Sequence, residues 1–340
     1  MDDILTLSRR ADGRTLWQLC DMVETSHLGL EIRPLPGKGL GVIVTRSASF
    51  ALGERILCEE PLIAWCSSPD PSGTVDWKSL ESQVEAKNLA HAFYSLCDKF
   101  SDSGNGVAKT ARGIWNSNSF PMEDVMADGL AAATDGVHRS AVYRLCSRIN
   151  HSCRPNCFAA WNALLGRQTL HALREIGQGE ELTVAYVGGA EAGVRARRRQ
   201  MLAERYHFGC SCEACSLTGD ALALSERRQS RIHDIHARLP SAPAELVQLV
   251  DELVALSRQE GIPLIWAKAG LIFAVVRLKQ AGDDAAAAER AAIGAACARL
   301  TLGEDSSVYR KLAGLATTAP PLGGAVPNRT AASSKVGRST

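Results

Sequence analysis

The sequence has almost no net charge, no long apolar run and no targeting signal. Its 38 Lys and Arg residues balance 37 Asp and Glu residues, so nothing points to a nucleic-acid or anionic-membrane surface. Residues 1–10 are acidic and then mixed, without the basic start and apolar run of a secretory signal. The most apolar segment, 262–278, is interrupted by Lys268 and is shorter than the roughly 20 residues that span a bilayer. We therefore expect an intracellular, monomeric protein of the nucleus or cytoplasm that contacts neither nucleic acid nor membrane.

The chain also lacks the even set of cysteines that a disulfide framework requires. It has 11 Cys, an odd number for a long chain expected inside the cell, which favours thiols that bind a metal. Cys210, Cys212 and Cys215 have the spacing C-x-C-x2-C and supply three corners of a tetrahedral metal site. Cys153 is our candidate for the fourth corner. The alternatives for that corner are Cys146, Cys157 and His207.

A polar bend at residues 148–157 precedes the thiol cluster. It has the sequence Arg-Ile-Asn-His-Ser-Cys-Arg-Pro-Asn-Cys. The apolar Ile149 lies within the bend, and the apolar Leu145 lies three residues before it. This density of polar groups beside apolar neighbours is typical of a buried bend that binds a small ligand.

Short strand-like apolar runs, separated by Gly and Pro, predict a set of short strands. They are expected at 30–32, 40–44, 55–58, 158–161 and 169–173, with a last strand after the turn at 177–181. Between the first two strands, residues 36–41 form a Gly-rich loop. A phosphate-binding loop needs a helix after its glycines, and here a β-branched strand follows, which argues against a dinucleotide site. The glycines suit either a tight hairpin or a close approach of the backbone to a ligand.

Helical periodicity marks the remaining parts of the chain. Helices are expected in a leader at 1–28, an insert at about 66–146, a basic helix at 190–206 and a C-terminal region at 217–316 with breaks near Pro240, Pro263 and Gly282. Within the insert, residues 113–120 break the pattern and are interpreted as a loop. The arginines of the basic helix are expected on a solvated face: Arg195, Arg197, Arg198 and Arg199. Residues 317–340 are rich in Pro, Gly, Ala, Thr and Ser and are predicted to be disordered.

Taken in order, these motifs resemble the SET-domain protein lysine methyltransferases over roughly residues 29–216. The matching segments are the loop at 37–41, Asn118-Ser119-Phe120, the bend at 148–156, Gly179-Glu180-Glu181-Leu182 followed by Tyr186, Tyr206-His207-Phe208 and the thiol cluster. The Asn118 turn and the C-x-C-x2-C ending look most like the SET-and-MYND branch and related fungal-type proteins. A MYND zinc finger is not visible, because the Cys and His residues of the insert lack its paired spacing: Cys66, Cys97, Cys146, His91 and His138.

The resemblance implies an α+β fold. A β-rich SET domain would occupy residues 29–209, and in it the segments of Asn150 and Tyr186 would form a pseudoknot-like crossing, which is rare in proteins. A zinc-binding post-SET segment would follow at 210–216, and residues 217–316 would form a helical extension.

The resemblance also implies S-adenosylmethionine (AdoMet) as methyl donor and a lysine of a histone or another protein as acceptor. Tyr186 would line the methyl-transfer site and orient the amine, and Tyr206 would form a second wall. The residues expected to bind AdoMet are Lys38, Gly39, Asn118, Ser147, Asn150, His151 and Phe208. The zinc would be structural, with four protein ligands and no water: Cys153, Cys210, Cys212 and Cys215. Glu181 is expected to be structural rather than a base.

These expectations describe a zinc-containing, AdoMet-dependent protein-lysine N-methyltransferase. One alternative is a SET-fold scaffold without turnover, which the presence of Tyr186, Asn150 and His151 disfavours. Another is a zinc module that binds nucleic acid, which the near-neutral charge and the lack of a basic, aromatic-interleaved patch disfavour. Sequence patterns indicate neither the substrate protein nor the number of methyl groups added.

Overall fold

The computed structural model describes residues 28–66, 75–101, 108–122, 139–188, 193–239, 244–262 and 268–316. The leader helix predicted for 1–28 lies outside these ranges except for Leu28, and the tail predicted to be disordered lies outside them entirely. Within the described ranges, helices and short strands are combined, as expected for an α+β chain.

Short strands form four small sheets in the described part of the chain. The strands are β1 (Leu30–Leu35), β2 (Gly39–Val44), β3 (Arg55–Glu59), β4 (Ile63–Cys66), β5 (Phe120–Pro121), β6 (Arg139–Val142), β7 (Asn150–His151), β8 (Cys157–Asn162), β9 (Arg167–Ala172) and β10 (Thr183–Val184). The antiparallel sheets have the orders β1-β2, β3-β9-β8 and β4-β6-β5, while β7 and β10 pair in parallel. The strands predicted from 30–32 to 169–173 are confirmed as β1, β2, β3, β8 and β9, and the last predicted strand is reduced to β10.

The β1–β2 hairpin buries one face of its strands in an apolar core. Ile32 and Val42 face each other across the hairpin and are buried with Leu170 of β9. Complete burial of one such side chain contributes roughly 1.5–3 kcal/mol to stability. Ile149 directly precedes β7 and Leu182 directly precedes β10, and both are buried in the same core. The core therefore anchors the two strands that carry the polar bend and the segment leading to Tyr186.

The polar bend is tied to the chain before β10 by one asparagine. Asn156 Oδ1 accepts a hydrogen bond from Thr183 N at 2.7 Å, and Asn156 Nδ2 donates to Glu181 O at 2.8 Å. Because both groups of this buried amide have backbone partners, the bend after β7 and the approach to β10 are held together.

The insert predicted to be helical is only partly so, because its residues 120–121 and 139–142 form β5 and β6. It also contains three helices, which share an apolar core with Ile63 and Trp65 of β4 and Val142 of β6. They are α1 (Trp77–Ala86), α2 (Ala90–Tyr94) and α3 (Ala111–Asn118). The loop predicted at 113–120 is therefore wrong as far as Asn118. Thr110 caps α3, since its Oγ1 accepts a hydrogen bond from Gly113 N at 2.9 Å. Ser117 Oγ donates back to Gly113 O at 2.7 Å, which lets a small polar side chain lie inside the helix.

The described residues after β10 include six α-helices, which lie in the two regions predicted to be helical. The helices are α4 (Arg195–Tyr206), α5 (Gly219–Arg238), α6 (Leu246–Glu260), α7 (Lys268–Gln280), α8 (Asp284–Leu302) and α9 (Ser307–Leu315). The break expected near Gly282 separates α7 from α8, and the breaks expected near Pro240 and Pro263 lie outside the described residues. Helix α8 packs against the β8–β9 sheet through Ala298 and Ala160. No helix in the described ranges is long and apolar enough to cross a membrane.

Candidate functional site

Four cysteine side chains converge between the polar bend and the segment after α4. The Sγ atoms of Cys153, Cys210, Cys212 and Cys215 all lie within 4.8 Å of one another, and those of Cys153 and Cys215 are 3.6 Å apart. Tetrahedral zinc with Zn–S bonds of about 2.3 Å places its sulfur ligands about 3.8 Å apart, so this spacing fits a metal ion. No other group of His, Cys, Asp and Glu side chains in the described ranges has such an arrangement.

The fold brings Cys153, and none of its three alternatives, to the other thiols. Cys153 follows β7, whereas the other three cysteines lie in the segment after α4, where Glu213–Cys215 form a short 3-10 helix. Cys146 and Cys157 are buried in the main apolar core instead, and His207 is exposed. The ligand set that the sequence predicts is therefore the set that the structure brings together.

The crowding of these thiols changes their acidity. Hydrogen bonds from Cys153 lower the pKa of Cys210 and bring the pKa of Cys212 to about 5. For Cys210 and Cys212 the contact stabilises the thiolate, which is the form of cysteine that binds metal, whereas hydrogen bonds with the other three thiols raise the pKa of Cys153.

A buried arginine lies beside this cluster. Arg198 of α4 is only 4% exposed and interacts electrostatically with the thiols of Cys153 and Cys215. Burial alone would lower the pKa of its guanidinium, but the neighbouring thiols outweigh that effect and the pKa is raised. The prediction that the arginines of this helix form a solvated face is therefore wrong for Arg198. Four thiolates around a divalent ion leave a net negative charge, which a buried guanidinium offsets.

Four rings from three segments lie together beside the thiols. The ring centroid of Tyr186 is 4.9 Å from that of Tyr206 and 5.3 Å from that of His151. The ring of Phe208 is 6.0 Å from His151 and 6.3 Å from Tyr186. The structure thus gathers the two tyrosines predicted to be catalytic with two of the residues predicted to bind AdoMet.

His151 connects this aromatic cluster to the thiol cluster. Its Nδ1 accepts a hydrogen bond from the backbone N–H of Tyr186 at 2.9 Å. Because this nitrogen accepts, the ring proton of the neutral imidazole is on Nε2, which lies 3.3 Å from Cys153 Sγ. The imidazole therefore donates to a candidate metal ligand while it holds the backbone of Tyr186.

The hydroxyl of Tyr186 is directed at the backbone of the polar bend. It donates to Ile149 O at 2.8 Å. Burial raises the pKa of Tyr186 and also that of Tyr206, so both phenols are neutral near pH 7. The Tyr186 oxygen keeps its lone pairs and can accept an N–H from a bound amine.

The turn between β1 and β2 is joined to the polar bend through Glu181. Lys38 Nζ lies 2.6 Å from Glu181 Oε2, and Asn150 Nδ2 donates to Glu181 Oε1 at 2.9 Å. Gly39 has a φ of +73°, and no heavy atom of the described residues lies within 4 Å of the place of a Cβ. Its backbone is therefore open to close approach by a ligand. Glu181 holds its two neighbours in place, which is the structural role expected of it.

Asn118 and Ser147 bond to each other and to the backbone. Ser147 Oγ donates to Asn118 O at 2.9 Å and accepts from Tyr143 N at 2.9 Å. The side-chain amide of Asn118 donates to Cys97 O and Ile114 O, each at 2.6 Å. Because these donor hydrogens are used within the protein, the two residues brace the wall of the site.

Glu59 supports the site, although no sequence pattern indicated it. Its carboxylate accepts hydrogen bonds from Leu145 N and Cys146 N, each at 2.9 Å. Burial raises the pKa of Glu59, against the effect of these backbone hydrogen bonds. The residue fixes the turn that enters the polar bend. The role of this Glu could not be predicted from the sequence, because its hydrogen-bond partners lie 86 and 87 residues away in the chain.

The sequence of this chain is similar to a known protein family and to several proteins of known name. Residues 39–187 match the family model described as the SET domain. The chain is 27% identical over 210 residues to histone-lysine N-methyltransferase set5 of Schizosaccharomyces pombe, covering 61% of this chain and 54% of the relative. It is 33% identical over 114 residues to histone-lysine N-methyltransferase Smyd1 of Mus musculus, covering 30% and 21%. It is 40% identical over 92 residues to protein-lysine N-trimethyltransferase SMYD5 of Danio rerio, covering 26% and 21%.

The matches confirm the family that the motifs indicated. The chain spans about half the length of the yeast relative and about a fifth of the mouse and zebrafish relatives. The matched segment contains the Gly39 turn, the polar bend and Tyr186. Residues 39–187 therefore match the SET domain, and the chain is similar to lysine methyltransferases of the Set5 and SMYD branch.

Proposed function

We propose that this chain is an AdoMet-dependent protein-lysine N-methyltransferase that acts on a histone or another protein. The observation that carries the proposal is the Tyr186 hydroxyl, which a hydrogen bond to Ile149 O fixes beside the rings of other aromatic residues within a SET domain. The yeast and mouse relatives are named histone-lysine N-methyltransferases, which supports lysine as the methyl acceptor.

The residues around the Gly39 turn and the polar bend suit AdoMet. This co-substrate supplies an electrophilic methyl group on a sulfonium sulfur, next to an adenosine and an amino-acid portion. The open backbone at Gly39 and the ring of Phe208 beside His151 support the assignment, because they offer room and an apolar face. We assign AdoMet binding to the residues that the resemblance indicated: Lys38, Gly39, Asn118, Ser147, Asn150, His151 and Phe208.

The chain's tyrosines prepare the lysine amine for attack. A lysine amine has a pKa of about 10.4 in water and is protonated near neutral pH. The rings of Tyr186 and Tyr206 form an apolar wall that disfavours the charged amine, so they promote loss of its proton to water before the amine is enclosed. The Tyr186 oxygen accepts an N–H of the neutral amine, which aligns the nitrogen lone pair for an in-line displacement. Tyr186 orients the amine and is no base, because burial raises its pKa.

We assign one structural zinc ion to the four thiols. Four thiolates would satisfy the coordination of the ion and leave no position for water, so the ion would have a structural role and take no part in methyl transfer. His151 Nε2 lies 3.3 Å from Cys153 Sγ, and His151 Nδ1 holds the backbone of Tyr186. Loss of the ion would therefore disturb AdoMet and lysine binding through His151.

The finer domain organisation is also part of this proposal. The parallel pairing of β7 with β10 supports a pseudoknot-like crossing of the Asn150 and Tyr186 segments. The proposed units are a SET domain at 29–209 with a helical insert at about 66–146, a post-SET segment at 210–216 and a helical extension at 217–316. Histone-directed relatives favour a nuclear or cytoplasmic location. A monomeric state and the lack of nucleic-acid binding stay predictions.

Calorimetric titration of the zinc-replete protein with AdoMet, followed by transfer of labelled methyl groups to histones and cell-extract proteins, tests the function. Binding followed by label on lysine supports the enzyme. Binding without label on any protein would favour the SET-fold scaffold, and a protein that does not bind AdoMet would contradict the proposal.

A further inference from the structure

A buried carboxylate at the end of α6 has no part in the function proposed above. Glu260 is only 1% exposed. Its Oε1 accepts hydrogen bonds from Arg154 Nη2, at 2.7 Å, and from Ser225 Oγ. Its Oε2 lies 3.6 Å from Arg228 Nη1. A carboxylate at this depth is strongly unfavourable without partners, so its position depends on these three side chains.

Arg154 links this carboxylate to both segments that carry the thiols. It follows Cys153 directly in the polar bend. Its Nη1 lies 3.4 Å from Oε1 of Glu213, which lies between Cys212 and Cys215 in the chain. Glu213 is 80% exposed, so this second ion pair is screened by water and weak. The buried pair with Glu260 is therefore the stronger restraint on Arg154.

Helix α5 adds a second connection to the thiol segment. Glu226 Oε1 accepts a hydrogen bond from Arg195 N, at the start of α4, at 2.9 Å. The guanidinium of Arg195 in turn donates to Cys215 O at 3.3 Å and to Leu217 O at 2.9 Å. Helix α6 thus contacts Arg154, which follows Cys153, and helix α5 contacts Arg195, which binds the backbone of the other thiol segment.

We propose that Glu260 is a positioning residue for the thiol cluster. Through Arg154 it holds the Cys153 end of the cluster against the α5–α6 pair, so the C-terminal helices help to set the affinity of the metal site. The inference rests on the proposed four-thiolate zinc site. Residues that orient metal ligands from outside commonly change metal affinity by about 10–100-fold when they are replaced.

Zinc release to an excess of a chromophoric chelator tests this role. Glu260→Gln removes the buried charge, and Arg154→Lys keeps the positive charge but cannot bridge Glu213 and Glu260. Both variants should lose zinc about 10-fold faster than the wild-type protein. Glu252→Gln is the matched control, because Glu252 joins the same two helices through a partly exposed ion pair with Arg231 at 2.6 Å. This control should release zinc at the wild-type rate.

The visible spectrum of the cobalt-substituted protein gives a second readout, which a purely structural role would leave unchanged. Glu260→Gln should alter the cobalt–thiolate absorption, and Glu252→Gln should not. Release at the wild-type rate in both Glu260→Gln and Arg154→Lys would overturn the inference. Equal acceleration in Glu252→Gln would also overturn it, because the effect would then belong to helix packing. A wild-type protein without zinc would instead contradict the metal site itself.

Discussion

Replacing Tyr186 with Phe removes one hydroxyl and leaves the rings of the aromatic cluster in place. The hydroxyl donates to Ile149 O at 2.8 Å, and such a hydrogen bond contributes about 1 kcal/mol net. A buried carbonyl left without its partner costs about 1–3 kcal/mol. We therefore expect the free energy of unfolding of Tyr186→Phe to fall by about 1–3 kcal/mol. The fold and the zinc site should persist, because a domain is typically stable by about 5–15 kcal/mol.

Methyl transfer should depend on the same hydroxyl far more strongly. Without it, nothing at this position accepts the amine N–H and directs the lone pair. A misplacement of about 1 Å can lower a rate by about 100-fold, so we expect kcat of Tyr186→Phe to fall by about this factor. The KM for AdoMet should change little, because the hydroxyl acts on the amine.

Steady-state transfer from labelled AdoMet measures turnover, and urea unfolding followed by circular dichroism measures stability. Tyr143→Phe is the matched control, since its buried hydroxyl has no hydrogen-bond partner among the described residues. Removing that hydroxyl should leave turnover unchanged and stability equal or higher. Unchanged turnover in Tyr186→Phe, or an equal loss in both variants, would refute the assigned role of Tyr186.

Three further predictions concern the metal, a glycine and a histidine. Elemental analysis should find one zinc per chain in the wild-type protein and none in Cys212→Ser; equal zinc in both would remove the thiol site. A Cβ at Gly41 would overlap Leu35 and would lie 2.8 Å from Asn150 Nδ2, which hydrogen bonds to Leu40 O and Glu181 hold in place. Gly41→Ala should therefore lower the free energy of unfolding in urea by about 1–3 kcal/mol, while Gly314→Ala, in open space on α9, should not. Burial lowers the pKa of His171 to about 4 in the folded protein, against about 6.5 in the unfolded chain, which therefore binds more protons between these values. Its contribution to stability, about 3 kcal/mol, should be present above pH 6.5 and be lost as the pH falls through 4. His171→Gln should lack this part of the pH dependence, and an unchanged profile would contradict the assignment.

The features that the sequence predicted correctly have local signals. The short run of apolar, β-branched side chains at 40–44 indicates one buried strand, and that strand is β2. The close spacing of Cys210, Cys212 and Cys215 indicates clustered thiols without any tertiary information, and the structure confirms the cluster. The convergence of Tyr186 with Cys153 has no local signal, and it was expected only because the motifs follow the order of a known family.

Other features could not be predicted because their causes are distant in sequence. The run of arginines in α4 is visible in the sequence, but the burial of Arg198 is not. Arg198 is buried beside the thiols of Cys153 and Cys215, which lie in other segments of the chain. A weak local signal existed, since Arg198 shares a helix face with the buried Met201 and Leu202. The ion pair of Arg154 with Glu260 joins residues 106 positions apart, and no periodicity reports such a pair.

Transfer of a labelled methyl group from AdoMet to a protein lysine is the most direct test of the central claim. Zinc-replete protein is incubated with histones and with cell-extract proteins, and the labelled proteins are hydrolysed to identify the modified amino acid. We predict label recovered as methylated lysine with the wild-type protein and about 100-fold less with Tyr186→Phe. Label on another amino acid, or equal labelling by the two proteins, would contradict lysine methylation at the Tyr186 site.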